Sequence, residues 1–249
     1  MYFLSEPATK RDTSLYYTDL PPSPSQSHSN PPWCPLIEAG FQVLPGPVSK
    51  EEQLLWERKK CASWGITSYD IDPVSGRIIF PAGGSLFFCS DPASGNTGPL
   101  FPYEIQTKTP GARLNATMCP HNPDLIAFVN NGDIWVTHLI SRSEIRLTFC
   151  HNAIAGGVAE DPLSAGLPSY VMQEEFNRFT GFWWQPRPPS AANNNVYTLL
   201  YEEVDEGGVE IVRILGFPCT QADLRPDVEE FRYPRADMPN AISTLRLLK

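Results

Sequence analysis

The stretch that decides the fold runs from Arg77 to Phe88 and reads RIIFPAGGSLFF. Apolar residues on both sides of a glycine pair are typical of two short β-strands joined by a tight turn. The arrangement returns 48 positions later between Leu125 and Val136, as LIAFVNNGDIWV. Its Asn-Gly dipeptide is a strong hairpin signal because both residues tolerate positive φ. The matching positions are Ile78, Phe80, Gly84, Leu86 and Phe88, which align with Ile126, Phe128, Gly132, Ile134 and Val136.

Further strand-like segments follow these two copies. Residues 144–149 predict one strand, and residues 182–184, 196–201 and 209–215 predict three more, with an acidic turn at 202–208. Residues 229–248 are expected to begin a fourth unit. Repeats of roughly 40–50 residues, each with about four short antiparallel strands, are typical of a β-propeller. The sequence therefore predicts an all-β fold, a partial β-propeller of about three blades and the start of a fourth.

The N-terminal part has a different organisation. Residues 1–48 form an N-terminal segment with a proline-rich loop at 21–35, since proline fixes φ and removes a hydrogen-bond donor. A helix is predicted for 49–63, ending near Cys61. Ser49 and Glu52 have the spacing of a capping box, and three basic residues occupy the last turn. This basic end has two interpretations, complementation of the helix dipole or one wall of a binding site. The incomplete propeller is assigned to 64–249.

Composition limits the classes of function. A net charge of −9 argues against nucleic acid and anionic membrane as partners, and it is compatible with basic ligands such as peptide amines. No apolar run approaches the roughly 18 residues of a membrane span, and residues 1–7 lack the pattern of a signal peptide. The six cysteines form no C-x-x-C pair and none has zinc spacing to a histidine. Reduced thiols in the cytosol, no metal and no cofactor are therefore expected.

A complete catalytic motif is absent from the sequence. No serine has glycine at both the second preceding and the second following position, so the nucleophile elbow is missing. Phosphate-binding and dinucleotide-binding glycine patterns are missing as well. None of the four histidines, His28, His121, His138 and His151, lies beside a recognisable acid or nucleophile motif. The chain is therefore expected to carry no catalytic residues of its own.

The segment 173–184 reads QEEFNRFTGFWW and combines two adjacent carboxylates with five aromatic residues. Paired carboxylates can bind one cation, because a desolvated ammonium group needs both opposite charge and hydrogen-bond acceptors. The alternative is a solvated Glu-Glu face beside aromatic core residues. Glu174 and Glu175 are thus candidate binding residues, and the aromatic run 182–184 is expected to be a buried blade strand.

This segment closely resembles the double-glutamate motif of the dipeptidyl peptidase IV family, in the prolyl oligopeptidase clan, and specifically its cytosolic members. The resemblance covers most of the chain from about residue 50 and more loosely residues 1–20, whereas the proline-rich stretch diverges. The further segments that carry it are residues 65–70, GITSYD; 146–151, RLTFCH; 161–166, DPLSAG; 200–206, LYEEVDE; and 231–235, FRYPR.

The resemblance implies an eight-bladed propeller stacked on an α/β-hydrolase domain, which together remove N-terminal dipeptides with proline or alanine second. Its serine, aspartate and histidine would lie in the hydrolase domain, outside this chain. Glu174 and Glu175 match the glutamates that bind the α-ammonium group of the substrate. Such an anchor sets the distance from the amine to the scissile carbonyl, and it rejects blocked amines because the carboxylates would stay unpaired.

One position departs from the family pattern. At the end of the helix before the first blade the family has an arginine that binds a substrate carbonyl, and the matching residue here is Lys60. Lysine keeps the charge but lacks the planar fork that offers two aligned donors. Lys60 is therefore a weaker candidate for substrate binding than the two glutamates.

Two hypotheses about function follow. The first is the substrate-recognition portion of a cytosolic serine dipeptidyl peptidase, which is inactive without its hydrolase domain. The second is a non-catalytic truncated or inactive homologue that acts as a protein-interaction module. Expected partners are peptides with a free N-terminus, the hydrolase domain, inflammasome sensor proteins and, in a full-length form, a second copy. Because three blades cannot close a ring, uncovered strand edges and sheet faces should make this chain poorly soluble.

Overall fold

The computed structural model describes residues 1–6, 12–20, 31–41, 49–61, 64–91, 98–151, 161–186, 196–215 and 228–249. In these ranges the chain has eighteen strands and two short helices, which confirms the predicted all-β, partial-propeller fold class. The helices are α1 (Lys50–Arg58) and α2 (Tyr170–Glu174). The strands are β1 (Tyr2–Ser5), β2 (Asp12–Tyr17), β3 (Cys34–Pro35), β4 (Trp64–Gly65), β5 (Asp70–Asp72), β6 (Arg77–Ala82), β7 (Ser85–Ser90), β8 (Tyr103–Glu104), β9 (Leu114–Cys119), β10 (Asn122–Asn130), β11 (Asp133–His138), β12 (Ser143–Arg146), β13 (Leu163–Ala165), β14 (Phe182–Trp184), β15 (Leu199–Asp205), β16 (Ile211–Leu215), β17 (Val228–Arg232) and β18 (Ile242–Leu248).

The chain divides into two compact units. Unit 1 comprises residues 1–130 and 136–145, and unit 2 comprises residues 131–135 and 146–249. Strands β5 to β8 form a four-stranded sheet in chain order, and β9 to β12 form another. The strands β13, β14, β15 and β18 form a third four-stranded sheet, while β1 to β4 form an additional sheet at the N-terminus. Of the proline-rich loop, residues 21–30 lie outside the described residues.

Strand β6 explains why the deciding stretch of sequence is apolar at nearly every position. Ile78 and Phe80 point to a core cluster shared with Leu15 of the N-terminal sheet. Ile79, on the opposite face, packs in a second cluster with Met118 and Ile126 of the next sheet. Because side chains alternate between the faces of a strand, a strand buried on both faces needs a continuous apolar run. Within unit 1 the sheets therefore stack face to face, as blades do.

The hairpin turn at Asn131 and Gly132 forms as predicted. Their φ angles are 47° and 66°, which places both residues in the left-handed region that a two-residue hairpin turn requires. The local pattern of the sequence was sufficient here because the turn depends on backbone chemistry of adjacent residues.

Helix α1 begins where the capping signal predicts and ends earlier than predicted. The Ser49 hydroxyl accepts a hydrogen bond from the Glu52 backbone N–H at 3.2 Å. The helix ends at Arg58 with Lys59 as its C-cap, because Lys60 adopts a left-handed φ of 55° that stops the helical hydrogen bonds. Lysine residues at 59 and 60 thus lie beyond the last helical turn.

The sheet of unit 2 has a topology that the sequence does not show. Strands β13 and β14 follow one another along one edge of β15, and β18 pairs with the whole length of its other edge. Glu202 and Glu203, predicted in a turn, lie inside β15. Residues 242–248 were predicted to lie in a fourth unit, but as β18 they pair with β15. The β16–β17 hairpin lies between β15 and β18 in the sequence and does not join their sheet.

The described cysteines are free thiols, namely Cys34, Cys61, Cys89, Cys119 and Cys150, and Cys219 lies outside the described residues. Burial raises the pKa of the Cys89 and Cys150 thiols to about 12. These two thiols remain protonated at neutral pH and are poor nucleophiles. In the ranges that the structure describes, no helix has the length and apolar character needed to cross a membrane.

Strand β1 is attached to the rest of unit 1 by hydrogen bonds that involve side chains. The Tyr2 hydroxyl donates to an Asp91 carboxylate oxygen at 2.8 Å, and the Tyr69 hydroxyl donates to the Tyr2 carbonyl at 2.8 Å. Burial first, and then the bond to Asp91, raise the pKa of Tyr2 from 10.0 to about 12. The folded protein therefore favours the neutral phenol more than the unfolded chain does.

This shift predicts a pH-dependent contribution to stability. Replacing Tyr2 by phenylalanine should lower the free energy of unfolding by about 1 kcal/mol at neutral pH, the ordinary value of one hydrogen bond. The folded-state pKa is raised, so the contribution is fully present below pH 10 and is lost as the pH rises toward 12. Urea unfolding of both proteins across this range measures the difference. Tyr103→Phe, at an exposed position, is the control, and a difference that grows with pH would contradict the assignment.

Candidate functional site

Helix α2 carries the two glutamates that the sequence singles out, Glu174 and Glu175, here called the glutamate pair. Ser169 is the N-cap by its backbone geometry, and Glu174 is the last helical residue with Glu175 as C-cap. The Glu175 backbone N–H donates to the Val171 carbonyl at 2.9 Å, and the helix is followed by a left-handed residue, Asn177, with a φ of 51°. The chain therefore turns sharply just after the glutamate pair.

The two carboxylates have accessible side chains. Glu174 is half-buried and Glu175 is exposed, whereas the preceding Gln173 is buried and donates from Nε2 to the Pro168 carbonyl at 2.6 Å. Among the residues that the structure describes, neither carboxylate makes a side-chain hydrogen bond or an ion pair. Gln173 thus anchors the helix, while the negative charges of the glutamate pair remain available to a ligand.

Arg178 and Glu202 form an ion pair directly after the helix, between a half-buried guanidinium and a buried carboxylate. The Arg178 Nη1 and Nη2 atoms donate to the two Glu202 carboxylate oxygens at 2.6 and 3.0 Å, and Nη1 also donates to the Thr180 carbonyl at 3.2 Å. Glu202 is only 3% exposed and lies in the central strand β15. A bidentate pair of this kind fixes both distance and orientation. The C-terminal side of α2 is therefore attached to the sheet.

Residues 166–181 form a loop that contains α2 and closes at a narrow base. The Gly181 N–H donates to the Gly166 carbonyl at 3.0 Å, the Gly166 N–H to the Glu202 carbonyl at 2.9 Å, and the Glu202 N–H to the Gly181 carbonyl at 2.8 Å. A Cβ at Gly181 would lie 2.8 Å from the Gly166 carbonyl carbon, so only glycine fits this crossing. Glu202 therefore holds the loop through both its backbone and its side chain.

The aromatic run 182–184 forms strand β14, as predicted. The prediction that the whole run is buried is wrong. Phe182 is buried, whereas Trp183 is 40% exposed on the other face of the strand. The difference follows from the alternation of side chains along a strand, since only one face of β14 is covered within unit 2. Phe176, the first aromatic residue of the motif, is exposed as well.

Lys60, the third candidate residue, belongs to unit 1, whereas the glutamate pair belongs to unit 2. Its side chain is exposed just beyond α1. The neighbouring Lys59 differs, because its Nζ donates to the Asn115 side-chain carbonyl at 3.2 Å and burial lowers its pKa. At this end of α1, the ammonium group of Lys60 is therefore accessible to solvent, whereas Lys59 is half-buried.

The arrangement in unit 2 favours cation binding by charge and hydrogen bonding. Two adjacent carboxylates lie at the C-terminal end of a helix, where the negative end of the peptide dipoles also favours positive charge. An ammonium group offers three donors, which two carboxylates can accept together. Within the described ranges, no group of three or more His, Cys, Asp or Glu residues is placed to hold a metal ion.

Sequence reasoning missed the role of Glu202. It lies 24 positions from Arg178, and its acidic neighbours make the segment look like a solvated turn. The available signal was the apolar residues on both faces of the segment, Leu199 and Tyr201 on one face and Leu200 and Val204 on the other, which are compatible with a longer strand. A charged residue inside such a strand would have required a partner of opposite charge.

Comparison with known proteins identifies the family to which this chain belongs. The sequence model described as the dipeptidyl peptidase IV (DPP IV) N-terminal region matches residues 88–249, and the chain belongs to this family. Among curated proteins it is similar to dipeptidyl peptidase 8 of Mus musculus, with 35% identity over 254 aligned residues, and of Homo sapiens, with 34% identity over 252. Each alignment covers 99% of this chain and 28% of the relative, so the chain spans little more than a quarter of their length.

A solved structure shows the same fold. The crystal structure of Porphyromonas gingivalis dipeptidyl peptidase 4 superposes with a TM-score of 0.55 at 15% sequence identity, covering 99% of this chain and 29% of that protein. The family, a dipeptidyl peptidase family, and the β-sheet architecture therefore agree with the resemblance found in the sequence.

Proposed function

We propose that this chain is the substrate-recognition portion of a cytosolic serine dipeptidyl peptidase that releases X-Pro and X-Ala dipeptides from peptide N-termini. In this proposal Glu174 and Glu175 bind the α-ammonium group of the substrate. The observation that carries it is the accessible glutamate pair on α2, which makes no side-chain bond among the described residues. Family membership supplies the reaction class.

The glutamate pair would fix the position of the substrate relative to its α-amine. Carboxylates at a fixed place bind a charged amine and leave the carbonyl after the second residue at a constant distance from it. A blocked amine has neither the charge nor the three donors, so the carboxylates would lose their hydration without compensation. The nucleophilic serine and its partners belong, in this proposal, to a hydrolase domain outside the chain.

The first test is a titration of this chain with the tripeptide Ala-Pro-Ala, followed by NMR. The free peptide should bind at least tenfold more tightly than its N-acetylated form, and Glu174→Gln or Glu175→Gln should reduce that preference to about twofold. Binding should also weaken as the pH rises through roughly 8, since the α-amine loses its proton there. Glu229→Gln, at an exposed position of β17, is the matched control. Equal binding of the free and acetylated peptides would refute the proposal.

A second candidate is a protein-interaction module, for example for inflammasome sensor proteins. It is favoured by the β16–β17 hairpin, which forms a two-stranded sheet of its own and exposes Ile214 and Val228. A two-stranded hairpin is only marginally stable alone in water. Binding of a partner that is lost on Ile214→Ser and is unaffected by Glu174→Gln would support this function, and the converse result would support substrate recognition.

A further inference from the structure

The ion pair between Arg178 and Glu202 has a consequence for the charge of the candidate site. Arg178 follows Glu174 by four positions and Glu175 by three. Arg178 lies beyond the left-handed Asn177, but its backbone N–H donates to the Met172 carbonyl at 3.1 Å, so Arg178 remains beside the last turn of α2. The long side chain of Arg178 therefore has two alternative sets of acceptors, the carboxylate of Glu202 and those of the glutamate pair.

The structure selects the first alternative. Both terminal nitrogens of Arg178 bind Glu202, at 2.6 and 3.0 Å, and one of them also binds the Thr180 carbonyl. Glu202 is buried in β15, and its backbone is bonded to both ends of the 166–181 loop. A buried carboxylate in this fixed position is a stronger acceptor than an exposed one, because it has no water to compete for its partner. Arg178 is consequently held toward the sheet.

We propose that Glu202 is a positioning residue that keeps Arg178 away from Glu174 and Glu175, so that the glutamate pair remains free to bind an ammonium group. This inference rests on the proposed function, which identifies the ligand as the ammonium group of a peptide, and Glu202 lies outside the double-glutamate segment 173–184. Without Glu202, the Arg178 guanidinium turns back to the glutamate pair and competes with the amine of the peptide.

The decisive variants are Glu202→Leu and the double variant Arg178→Met with Glu202→Leu. The single variant leaves Arg178 without its acceptor. The double variant replaces the whole ion pair by apolar side chains of similar volume, a change that proteins tolerate well. Arg213→Met with Glu230→Gln removes another arginine–glutamate pair of unit 2, which bonds at 2.8 Å on the exposed hairpin, and serves as the matched control.

The affinity for Ala-Pro-Ala is the first measurement. Glu202→Leu should bind the free peptide at least tenfold more weakly than the original chain, and the double variant should recover to within about threefold. The control pair should change the affinity less than twofold. Equally weak binding by the single and double variants would overturn the inference, because the loss would then come from disorder of the loop. Unchanged binding by Glu202→Leu would overturn it as well.

A second measurement does not depend on the peptide. In a crystal or NMR structure of Glu202→Leu, the Arg178 guanidinium should lie within 4 Å of a carboxylate oxygen of Glu174 or Glu175. If it instead extends into solvent, Glu202 does not have the role assigned to it. If the guanidinium moves as expected while the original chain shows no preference for a free amine, the proposed function fails and the positioning by Glu202 stands.

Discussion

Replacing Asp133 by alanine should lower the free energy of unfolding by about 3–5 kcal/mol, because it leaves several buried donors without an acceptor. Asp133 is 1% exposed and begins β11. Its carboxylate accepts from Arg146 Nη2 at 2.5 Å, from the Thr148 hydroxyl at 2.6 Å, and from the backbone N–H groups of Cys150 and His151 at 2.9 and 3.1 Å. The substitution removes the acceptor of four donors at once.

The decrease in the free energy of unfolding is large because not all four donors can form hydrogen bonds to water instead. Thr148 and Cys150 are buried, and each unsatisfied buried donor costs about 1–3 kcal/mol. Arg146 is partly relieved, since its guanidinium also lies 4.9 Å from the centre of the Phe149 ring and donates from Nε to the Thr148 carbonyl. Because total stabilities are only about 5–15 kcal/mol, this single change should bring the protein close to its unfolding threshold.

Urea unfolding followed by circular dichroism measures this effect, with Asp133→Asn as an intermediate variant that keeps an acceptor oxygen but loses the charge. Asp205→Ala is the control, because Asp205 is an exposed aspartate of the same unit that bonds the Gly207 N–H at 2.7 Å. A loss below about 1 kcal/mol for Asp133→Ala would mean that the loop after β12 rearranges to satisfy its own donors.

Asp133 also illustrates which parts of the structure can be predicted from the sequence. Asn131, Gly132 and Ser49 were sufficient for the hairpin turn and the start of α1, because turns and caps depend on bonds between neighbouring residues. The partners of Asp133 and Glu202 lie 13–24 positions away, and no local pattern reveals them. The glutamate pair was found from its motif alone, whereas the residues that hold its loop became visible only when β15 was placed between β14 and β18.

The sheet of unit 2 should cause this chain to self-associate through one apolar face. Trp183, Leu200 and Leu247 are aligned across β14, β15 and β18, and Leu245 lies two positions along β18 on the same face. All four are large and exposed, from 38% for Leu200 to 65% for Leu245. Contiguous apolar surface of this kind marks an interaction surface or a site of aggregation.

Unit 1 indicates what covers such a face. There Ile79 and Leu86 of one sheet pack against Met118 and Ile126 of the next, so an apolar sheet face is buried by a second apolar sheet face. In a solution of this chain, a second copy offers the same apolar face. We therefore expect dimers or larger assemblies at micromolar concentration, which agrees with the poor solubility predicted from the blade count.

The variant Leu247→Lys should shift the chain to a monomer, because a charged group opposite Leu200 cannot be desolvated at a face-to-face contact without a partner. Sedimentation velocity over a hundredfold concentration range should show at least a tenfold weaker association than for the original chain. Ile214→Lys places one charge at an exposed apolar position of the β16–β17 hairpin, and it should leave the association unchanged if the sheet face is responsible. If Ile214→Lys dissociates the assemblies and the β18 variant does not, the hairpin and not the sheet face holds the copies together.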